Sequence, residues 1–344
     1  MQKEELKRYQ RQIILSEIGL EGQKRLKTAK VLVIGAGGLG CPLLQYLAAA
    51  GVGNIGIVDD DKVDESNLHR QILYSSADIG KSKAEVAAEK LRSLNPFVNI
   101  SSYPVRLQAD NAEDLFSGYE LVVDGSDNFA TRYLVNDTCV RLGKPLVFGS
   151  IFGFEGQVSV FNYRNGPTFR CVFPEAGESP NCAENGVLGV LPGIIGSFMA
   201  NEALKIILST GESLSGKLLI MNVLENTFNL FKVSRLAPVT TTERPESAPN
   251  TTDDKNRLLP EDLDLFLENN QDSVLLVDVR EPIEFEADGS LNGINIPLSE
   301  IPDEIEKLVA SGKKILFYCN SGKRSKQAFS IFKNLEPGSE AFWI

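Results

Sequence analysis

The stretch that decides the fold of this chain is Val31-Leu32-Val33-Ile34-Gly35-Ala36-Gly37-Gly38-Leu39-Gly40. Its four leading apolar residues, three of them β-branched, predict a strand buried on both faces. The glycines predict a tight turn, followed at once by an apolar helix. Free backbone N–H groups and the positive end of a helix dipole meet there, so the turn can hold a phosphate. Alone, the pattern indicates an unspecified nucleotide, or a turn that merely packs helix on strand.

Composition limits the possible functions. The 344 residues allow two domains, and 42% hydrophobic residues suffice for a core in each. The net charge of −11 argues against a nucleic-acid binder and against a basic membrane-surface protein. No apolar run approaches the length of a transmembrane helix and no signal-peptide core is present, so we expect a cytoplasmic protein. Five irregularly spaced cysteines make no disulfide framework, and the single histidine, His69, argues against histidine-based catalysis.

Strands and helices alternate after a charged, helical stretch over residues 1–30. The predicted strands lie at 31–34, 54–58, 98–102, 121–123 and 145–149. This alternation predicts a doubly wound, mostly parallel, Rossmann-like α/β sheet, with ligands at the carboxyl ends of its strands. An antiparallel extension follows, with predicted strands at 156–161, 218–221 and 227–233 and a long apolar helix ending near 208.

The rest of the chain predicts a linker and a second, small α/β domain. Residues 237–256 contain Pro, Thr, Ser, Glu and Asp and almost nothing apolar, which predicts a flexible linker after a first domain over 1–236. The second domain, 257–344, has predicted buried strands at 274–277 and 314–318.

Acidic residues follow two of the predicted strands. Asp59 lies about twenty residues past Gly37, where an acid holds a ribose hydroxyl in dinucleotide folds. The run Asp59-Asp60-Asp61 could equally bind Mg²⁺ through oxygen ligands, although Asp60 is better explained as part of a solvated loop. Asp127 follows the strand at 121–123, so both acids are candidates for the same site.

Cys319 ends a buried strand and opens the loop Cys319-Asn320-Ser321-Gly322-Lys323-Arg324-Ser325. Loop amides, a helix N-terminus, Lys323 and Arg324 would favour a thiolate, which is a nucleophile. The same groups would hold a persulfide anion. A buried structural cysteine is the alternative.

The second domain resembles rhodanese domains, sulfurtransferases that carry sulfur as a cysteine persulfide. The resemblance rests on residues 276–285, 295–298 and the Cys319 loop. Four residues separate Cys319 from Arg324, fewer than in the related phosphatases, which suits sulfur better than phosphate. The implied sulfur-binding loop is Cys319, Asn320, Ser321, Gly322, Lys323 and Arg324. Rhodanese domains continue with a further strand and a glycine pair, so we expect a shortened sheet here.

The first domain resembles the MoeB/ThiF family, bacterial relatives of ubiquitin-activating enzymes. Seven motifs occur in order over about residues 5–235. They are Arg8-Tyr9-x-Arg11-Gln12, Gly35–Gly40, Asp59-x-Asp61, Ser66-Asn67-Leu68-x-Arg70-Gln71, Gly80-x-x-Lys83, Ser126-Asp127-Asn128 and Arg132. The whole chain thus resembles fused MoeB–rhodanese proteins. The resemblance implies ATP-dependent adenylation of the C-terminal Gly-Gly of a ubiquitin-like sulfur carrier protein.

The resemblance also implies residue roles. The implied ATP-binding residues are Arg11, Gly35, Gly37, Gly38, Gly40, Asp59, Asp61, Asn67, Arg70, Gln71, Lys83, Asp127, Asn128 and Arg132. Asp59 would hold the ribose and Asp127 would bind Mg²⁺. Arg11, Arg70 and Lys83 would neutralise the triphosphate, and Arg70 would reach into the partner's site of a homodimer. The implied catalytic residues are Cys319, Arg70, Lys83, Asp127 and Cys182.

Two cysteines lie in the loop over 166–186. Cys182 matches a cysteine implicated in handling the activated carrier, and a plain loop thiol is the alternative. Most relatives have a Cys-x-x-Cys in this loop and a second pair near the end of the domain. Here the first reads Thr168-Phe169-Arg170-Cys171 and the second is missing. One thiolate cannot build a tetrahedral site, so we expect no structural zinc.

Several functions remain open on the sequence. The leading one is adenylation of the carrier followed by sulfur transfer from a persulfide donor through Cys319. The flexible linker between the domains would raise the effective concentration of Cys319 at the adenylate. A molybdopterin-synthase small subunit is the preferred carrier and a thiamine-pathway carrier the alternative. A NAD-dependent oxidoreductase would leave Arg11, Arg70 and Lys83 unexplained, and a non-catalytic docking protein is the third possibility.

Overall fold

The structure, a computed structural model, describes residues 1–174, 186–236, 256–258, 262–270, 273–287, 293–319 and 322–344. It forms two compact units, Met1–Val239 and Thr240–Ile344. Most of the predicted linker lies outside the described residues, as do Cys182, Asn320 and Ser321. The flexibility of the linker and the roles of those three residues therefore stay predictions.

Unit 1 is a layered α/β unit. Its helices are α1 (Lys3–Ile13), α2 (Gly19–Thr28), α3 (Gly40–Ala50), α4 (Lys83–Leu94), α5 (Ala112–Ser117), α6 (Phe129–Arg141) and α7 (Leu191–Leu208). Its strands are β1 (Lys30–Ile34), β2 (Asn54–Val58), β3 (Asn99–Tyr103), β4 (Leu121–Asp124), β5 (Leu146–Phe152), β6 (Glu155–Phe161), β7 (Lys217–Asn222) and β8 (Thr227–Lys232).

The eight strands form one sheet in the order β3-β2-β1-β4-β5-β6-β7-β8. Strands β1 to β5 pair in parallel, and β5 to β8 pair antiparallel. This confirms the predicted Rossmann-like sheet with an antiparallel extension. The strand order reverses between β1 and β4, where Ile34 lies opposite Asp124. Such a reversal opens a crevice at the carboxyl ends of the two strands.

Helix α7 is the long apolar helix predicted to end near residue 208. It is long and apolar enough to cross a membrane, with a mean hydropathy of 1.3 over 18 residues. Half of this window is buried inside the protein. Leu191, Ile195 and Met199 are fully buried in the core of unit 1. The apolar composition of α7 is therefore that of a core helix.

Unit 2 is a smaller α/β unit. Its helices are α8 (Leu263–Asn269), α9 (Pro282–Ala287), α10 (Ile301–Ala310) and α11 (Lys323–Leu335). Its strands are β9 (Val274–Asp278), β10 (Ile294–Asn295), β11 (Lys314–Tyr318) and β12 (Ala341–Trp343). They form a parallel sheet in the order β10-β9-β11-β12.

Strand β12 is the strand that was expected to be missing after the last helix. Ala341 and Trp343 are buried, and Trp343 pairs with Phe317 of β11. Three residues are too few to show an alternating pattern in the sequence. The strand forms because its buried residues complete the apolar cluster of unit 2.

Candidate nucleotide and sulfur sites

The turn between β1 and α3 depends on glycine. Gly35 has a φ of +88°, and its N–H donates to the Val58 carbonyl at 2.8 Å. A Cβ on Gly40 would lie 2.1 Å from the Gly35 carbonyl oxygen, so any other residue would push the helix away from the strand. The described residues give α3 no side-chain cap. Cys41 and Leu43 donate their N–H groups to the Gly37 and Leu39 carbonyls, so the N–H groups suited to an anion are those of the turn before α3.

The turn opens into a cleft of about 420 Å³, referred to below as the nucleotide cleft. Most of the predicted ATP-binding residues line it, from several different loops. They are Gly35, Gly37, Gly38, Asp59, Asp61, Asn67, Arg70, Gln71, Lys83, Asp127, Asn128 and Arg132. Gly40 lies beside this set, as a residue that permits the turn. The fold therefore brings together motifs that are about a hundred residues apart in the chain.

Asp59 joins the glycine turn to the end of β2. Its Oδ2 accepts the N–H of Ala36 at 2.7 Å, and its Oδ1 accepts the N–H of Asp61 at 2.9 Å. Burial raises the pKa of the Asp59 carboxyl, while these two hydrogen bonds and the Lys83 charge oppose the rise. The carboxylate is thereby held at the wall of the nucleotide cleft.

Two cations line the nucleotide cleft beside this acid. The Lys83 side chain is 6% exposed, and its Nζ lies 2.8 Å from Oδ2 of Asp61, whose side chain is 68% exposed. Arg70 donates from Nη2 to the Asn67 side-chain oxygen at 2.8 Å. An ion pair open to solvent on one side is weak, so a polyphosphate can replace Asp61 as the partner of Lys83.

Arg70 and Arg11 differ in their distance from the nucleotide cleft. Arg70 lines the cleft of its own chain, and the expectation that it reaches into a partner's site stays a prediction. Within the described part of the chain, no residue of α1 lines the cleft, and Arg11 is on α1. The neighbouring Gln12 donates to the Ala50 carbonyl at the far end of α3. Helix α3 is about 15 Å long, so Arg11 is too distant to join its own cleft.

Sequence reasoning missed several residues of the nucleotide cleft. The segment after β3 contributes Val105, Arg106 and Leu107, and α6 contributes Thr131. The rule that ligands lie at the carboxyl ends of strands pointed to Asp59 and applies equally to β3. The strand at 98–102 was predicted, but no acidic residue directly follows β3 in the way that Asp59 follows β2.

Cys171, the one cysteine left of the Cys-x-x-Cys motif in this loop, contacts the last described residues of unit 1. Its Sγ accepts the N–H groups of Thr168 and Leu236, each at 3.4 Å. Burial opposes ionisation, but these hydrogen bonds and the Thr168 hydroxyl lower the pKa of the Cys171 thiol. Among the residues described, no cluster of His, Cys, Asp or Glu could hold a metal ion. The expected absence of zinc stays a prediction.

The sulfur site of unit 2 is built at the end of β11. The N–H of Ser325 donates to Cys319 Sγ at 3.4 Å, from the first turn of α11. Arg324 is 9% exposed and donates from both Nη atoms to Glu284, at 2.6 and 2.9 Å. This hydrogen bonding lowers the pKa of the Glu284 carboxyl. The pair fixes the start of α11 to α9, and with it the position of Ser325 beside the sulfur.

The family comparison agrees with this geometry. The ThiF family model matches residues 9–240, and the rhodanese-like domain model matches residues 259–341. The chain belongs to the ThiF family. It carries a rhodanese-like domain after the ThiF domain.

Named relatives of this ThiF-family chain match either about two thirds of it or nearly all of it. The sulfur carrier protein adenylyltransferase of Thermus thermophilus is 56% identical over 241 residues, 68% of this chain and 89% of the relative. The probable adenylyltransferase/sulfurtransferase MoeZ of Mycobacterium tuberculosis is 42% identical, covering 97% of this chain and 89% of the relative. A crystal structure of E. coli MccB with ATP shares the fold, with a TM-score of 0.60 and 24% identity, over 67% of this chain and 73% of that chain.

These findings decide between the open interpretations. The chain is an enzyme that combines the adenylyltransferase and rhodanese-like domains of its relatives. A NAD-dependent oxidoreductase and a non-catalytic docking protein, the two other interpretations, find no support in the family or in the relatives.

Proposed function

We propose that this enzyme adenylates the C-terminal glycine of a ubiquitin-like sulfur carrier with ATP, and that Cys319 then delivers sulfur to the activated carboxyl group. The observation that carries the first step is the composition of the nucleotide cleft. Arg70 and Lys83 lie there with the half-buried Asp59 and the glycine turn before α3. These are the groups that a triphosphate and a ribose require.

The adenylation step needs charge stabilisation more than proton transfer. The carrier carboxylate attacks the α-phosphorus, the bond from that phosphorus to the bridging oxygen breaks, and pyrophosphate leaves. The carboxylate is already ionised at neutral pH, so no general base is required. Arg70 and Lys83 would stabilise the charge on the phosphates, and Asn67 and Arg132 would orient them. This chemistry is compatible with a chain that has one histidine.

Asp127 fits a metal-binding role. It is an exposed carboxylate in the wall of the nucleotide cleft, next to Asn128. Carboxylate oxygens are the ligands that Mg²⁺ takes from proteins, usually together with phosphates of the substrate. Asp127 would hold the ion, and the ion would neutralise part of the phosphate charge.

The second step would take place on Cys319. A persulfide donor loads the cysteine, and the terminal sulfur attacks the acyl carbon of the adenylate, so that AMP leaves. The product is an acyl disulfide with Cys319. One external thiol then displaces the carrier thiocarboxylate and forms a mixed disulfide with Cys319, and a second thiol returns the cysteine thiol, so that the two thiols leave as a disulfide. Cys182 is a second candidate for handling the activated carrier, with a plain loop thiol as the alternative.

Pyrophosphate exchange into ATP tests the first step. We expect exchange only with a carrier that ends in Gly-Gly, and faster with the molybdopterin-synthase type than with the thiamine type. Lys83→Met should lower the exchange rate at least about 100-fold, because a buried cation at the phosphates is lost. Lys81→Met is the matched control, since this nearby side chain is 59% exposed and lies outside the cleft. A wild-type protein without carrier-dependent exchange would refute the proposal.

We also propose a homodimer in which Arg11, rather than Arg70, comes from the second copy. Arg11 belongs to a matched family motif yet lies at the far end of α3 from its own cleft. Arg11→Ala and Lys83→Met should each be inactive alone. Mixed dimers would carry one complete site, so a mixture should recover about a quarter of wild-type exchange. A mixture that stays inactive, or an active Arg11→Ala variant, would contradict this arrangement.

A further inference from the structure

Asp124 is a buried acid at the nucleotide cleft that the proposed reaction leaves without a role. It ends β4 and is 1% exposed. Its Oδ1 accepts the N–H of Ser126 at 2.9 Å. Its Oδ2 is fully buried and has no hydrogen-bond partner among the residues described. A carboxylate removed from water in this way is costly unless a nearby charge compensates it.

The compensating charge is Arg132, on the first turn of α6. Its guanidinium lies 5.4 Å from the ring centre of Phe129 and 5.5 Å from that of Phe148, and Nη2 donates to the Ser126 carbonyl at 3.1 Å. Burial raises the pKa of the Asp124 carboxyl, while Ser126 and the Arg132 charge lower it. Asp124 and Arg132 therefore hold Ser126 from two sides, at its N–H and at its carbonyl.

The fixed Ser126 determines where the next residue lies. Gly125 donates its N–H to the Ile34 carbonyl at 2.9 Å, which joins the turn to β1. Asn128 caps α6 by accepting the N–H of Thr131 at 2.9 Å. Asp127 stands between these two anchored points and lines the nucleotide cleft. The direction of its carboxylate thus depends on the turn that Asp124 holds.

We propose that Asp124 is a positioning residue for adenylation, which holds both the turn that presents Asp127 and the guanidinium of Arg132 toward the nucleotide. The inference rests on the proposed function, because the nucleotide and its metal ion are those of that reaction. Asp124 acts through its neighbours, since it lies behind the residues that line the nucleotide cleft.

Asp124→Asn is the informative variant, because it keeps the size and an oxygen for the Ser126 N–H but removes the charge beside Arg132. We expect kcat for pyrophosphate exchange to fall about 30-fold, while KM for ATP changes less than about threefold. The Mg²⁺ concentration that half-saturates ATP binding, measured by calorimetry without carrier, should rise at least about fivefold. Asp124→Ser provides a second test should the asparagine variant fail to fold.

Glu202→Gln is the matched control. Glu202 is also 1% exposed and also accepts a backbone N–H, that of Leu214 at 2.8 Å, but it lies on α7 outside the cleft. It should leave kcat, KM and the Mg²⁺ dependence unchanged. Combined with Arg132→Met, Asp124→Asn should add less than about a twofold loss, because the acid acts through that arginine.

Two results would overturn the role of Asp124. One is a folded Asp124→Asn or Asp124→Ser variant with wild-type kcat and Mg²⁺ dependence. The other is a double variant, Asp124→Asn with Arg132→Met, whose loss of kcat equals the product of the two single losses. A wild-type protein that binds Mg-ATP but catalyses no exchange refutes the proposed function instead. In that case the Mg²⁺ dependence of ATP binding is the measurement that tests the positioning role of Asp124.

Discussion

At the scale of single residues, the nucleotide cleft depends on charged side chains that are partly removed from water. Lys83 is the clearest of these, because its buried side chain ends at an exposed carboxylate. Its place in the cleft depends in turn on the loop before α4. Asp78 fixes that loop by accepting the Ser75 N–H at 2.9 Å and by pairing with Lys90 of α4. The ion pair of Asp78 and Lys90 thus helps to position Lys83 in the nucleotide cleft.

The Asp78 pairing should appear as pH-dependent stability. The hydrogen bond with Lys90 lowers the pKa of Asp78 to about 2, below its usual 3.8. A carboxyl whose pKa is lower in the folded than in the unfolded state stabilises the fold at pH values above its unfolded-state pKa. This contribution is lost as the pH falls from about 4 toward 2. Asp78→Asn should therefore reduce the free energy of unfolding of unit 1 by about 1–2 kcal/mol at pH 7, and by less at pH 3.

Urea unfolding followed by far-UV circular dichroism measures this difference. Trp343, the single tryptophan, reports on unit 2 separately by its fluorescence. The exposed Asp110→Asn is the control and should change stability equally little at both pH values. If Asp78→Asn lowers the free energy of unfolding by the same amount at pH 7 and pH 3, the ionised carboxylate is not the stabilising form.

At the scale of elements, the turn between β1 and α3 determines the shape of the nucleotide cleft. Helix α3 begins so close to β1 that the first helical position has no room for a side chain. Gly40→Ala should destabilise unit 1 by at least about 2 kcal/mol and abolish ATP binding, because the backbone oxygen of Gly35 must move. Gly118→Ala is the control, since a Cβ there meets nothing within 4 Å. Calorimetric ATP titration and thermal melting of both variants test this, and wild-type ATP affinity in Gly40→Ala would contradict it.

Element prediction succeeded where the pattern is local and long enough. Strand β2 has its predicted bounds, Asn54–Val58, and so does β11, Lys314–Tyr318. The pattern failed for β12, because three residues show no period. The long apolar helix predicted to end near residue 208 is α7, but its burial in the core could not be predicted, since composition does not say what surrounds a helix.

At the scale of the whole molecule, the two units carry separable chemistry. Cys319→Ala should leave carrier-dependent pyrophosphate exchange at the wild-type rate, because the cysteine belongs to unit 2 and the nucleotide cleft to unit 1. The same variant should form no thiocarboxylate from a persulfide donor, as measured by mass spectrometry of the carrier. Full thiocarboxylate formation without Cys319 would refute its role as the sulfur-bearing residue.

The sequence by itself determined the glycine turn, the alternation of strands and helices, and most residues of the nucleotide cleft, because these are written in local patterns and ordered motifs. The tertiary structure alone decided which arginine reaches the cleft of its own chain and which lies at the far end of α3. It alone placed Asp124 and Arg132 on either side of Ser126. The physical reason is that burial, ion pairing and distance depend on residues far apart in the chain, and no local pattern encodes them.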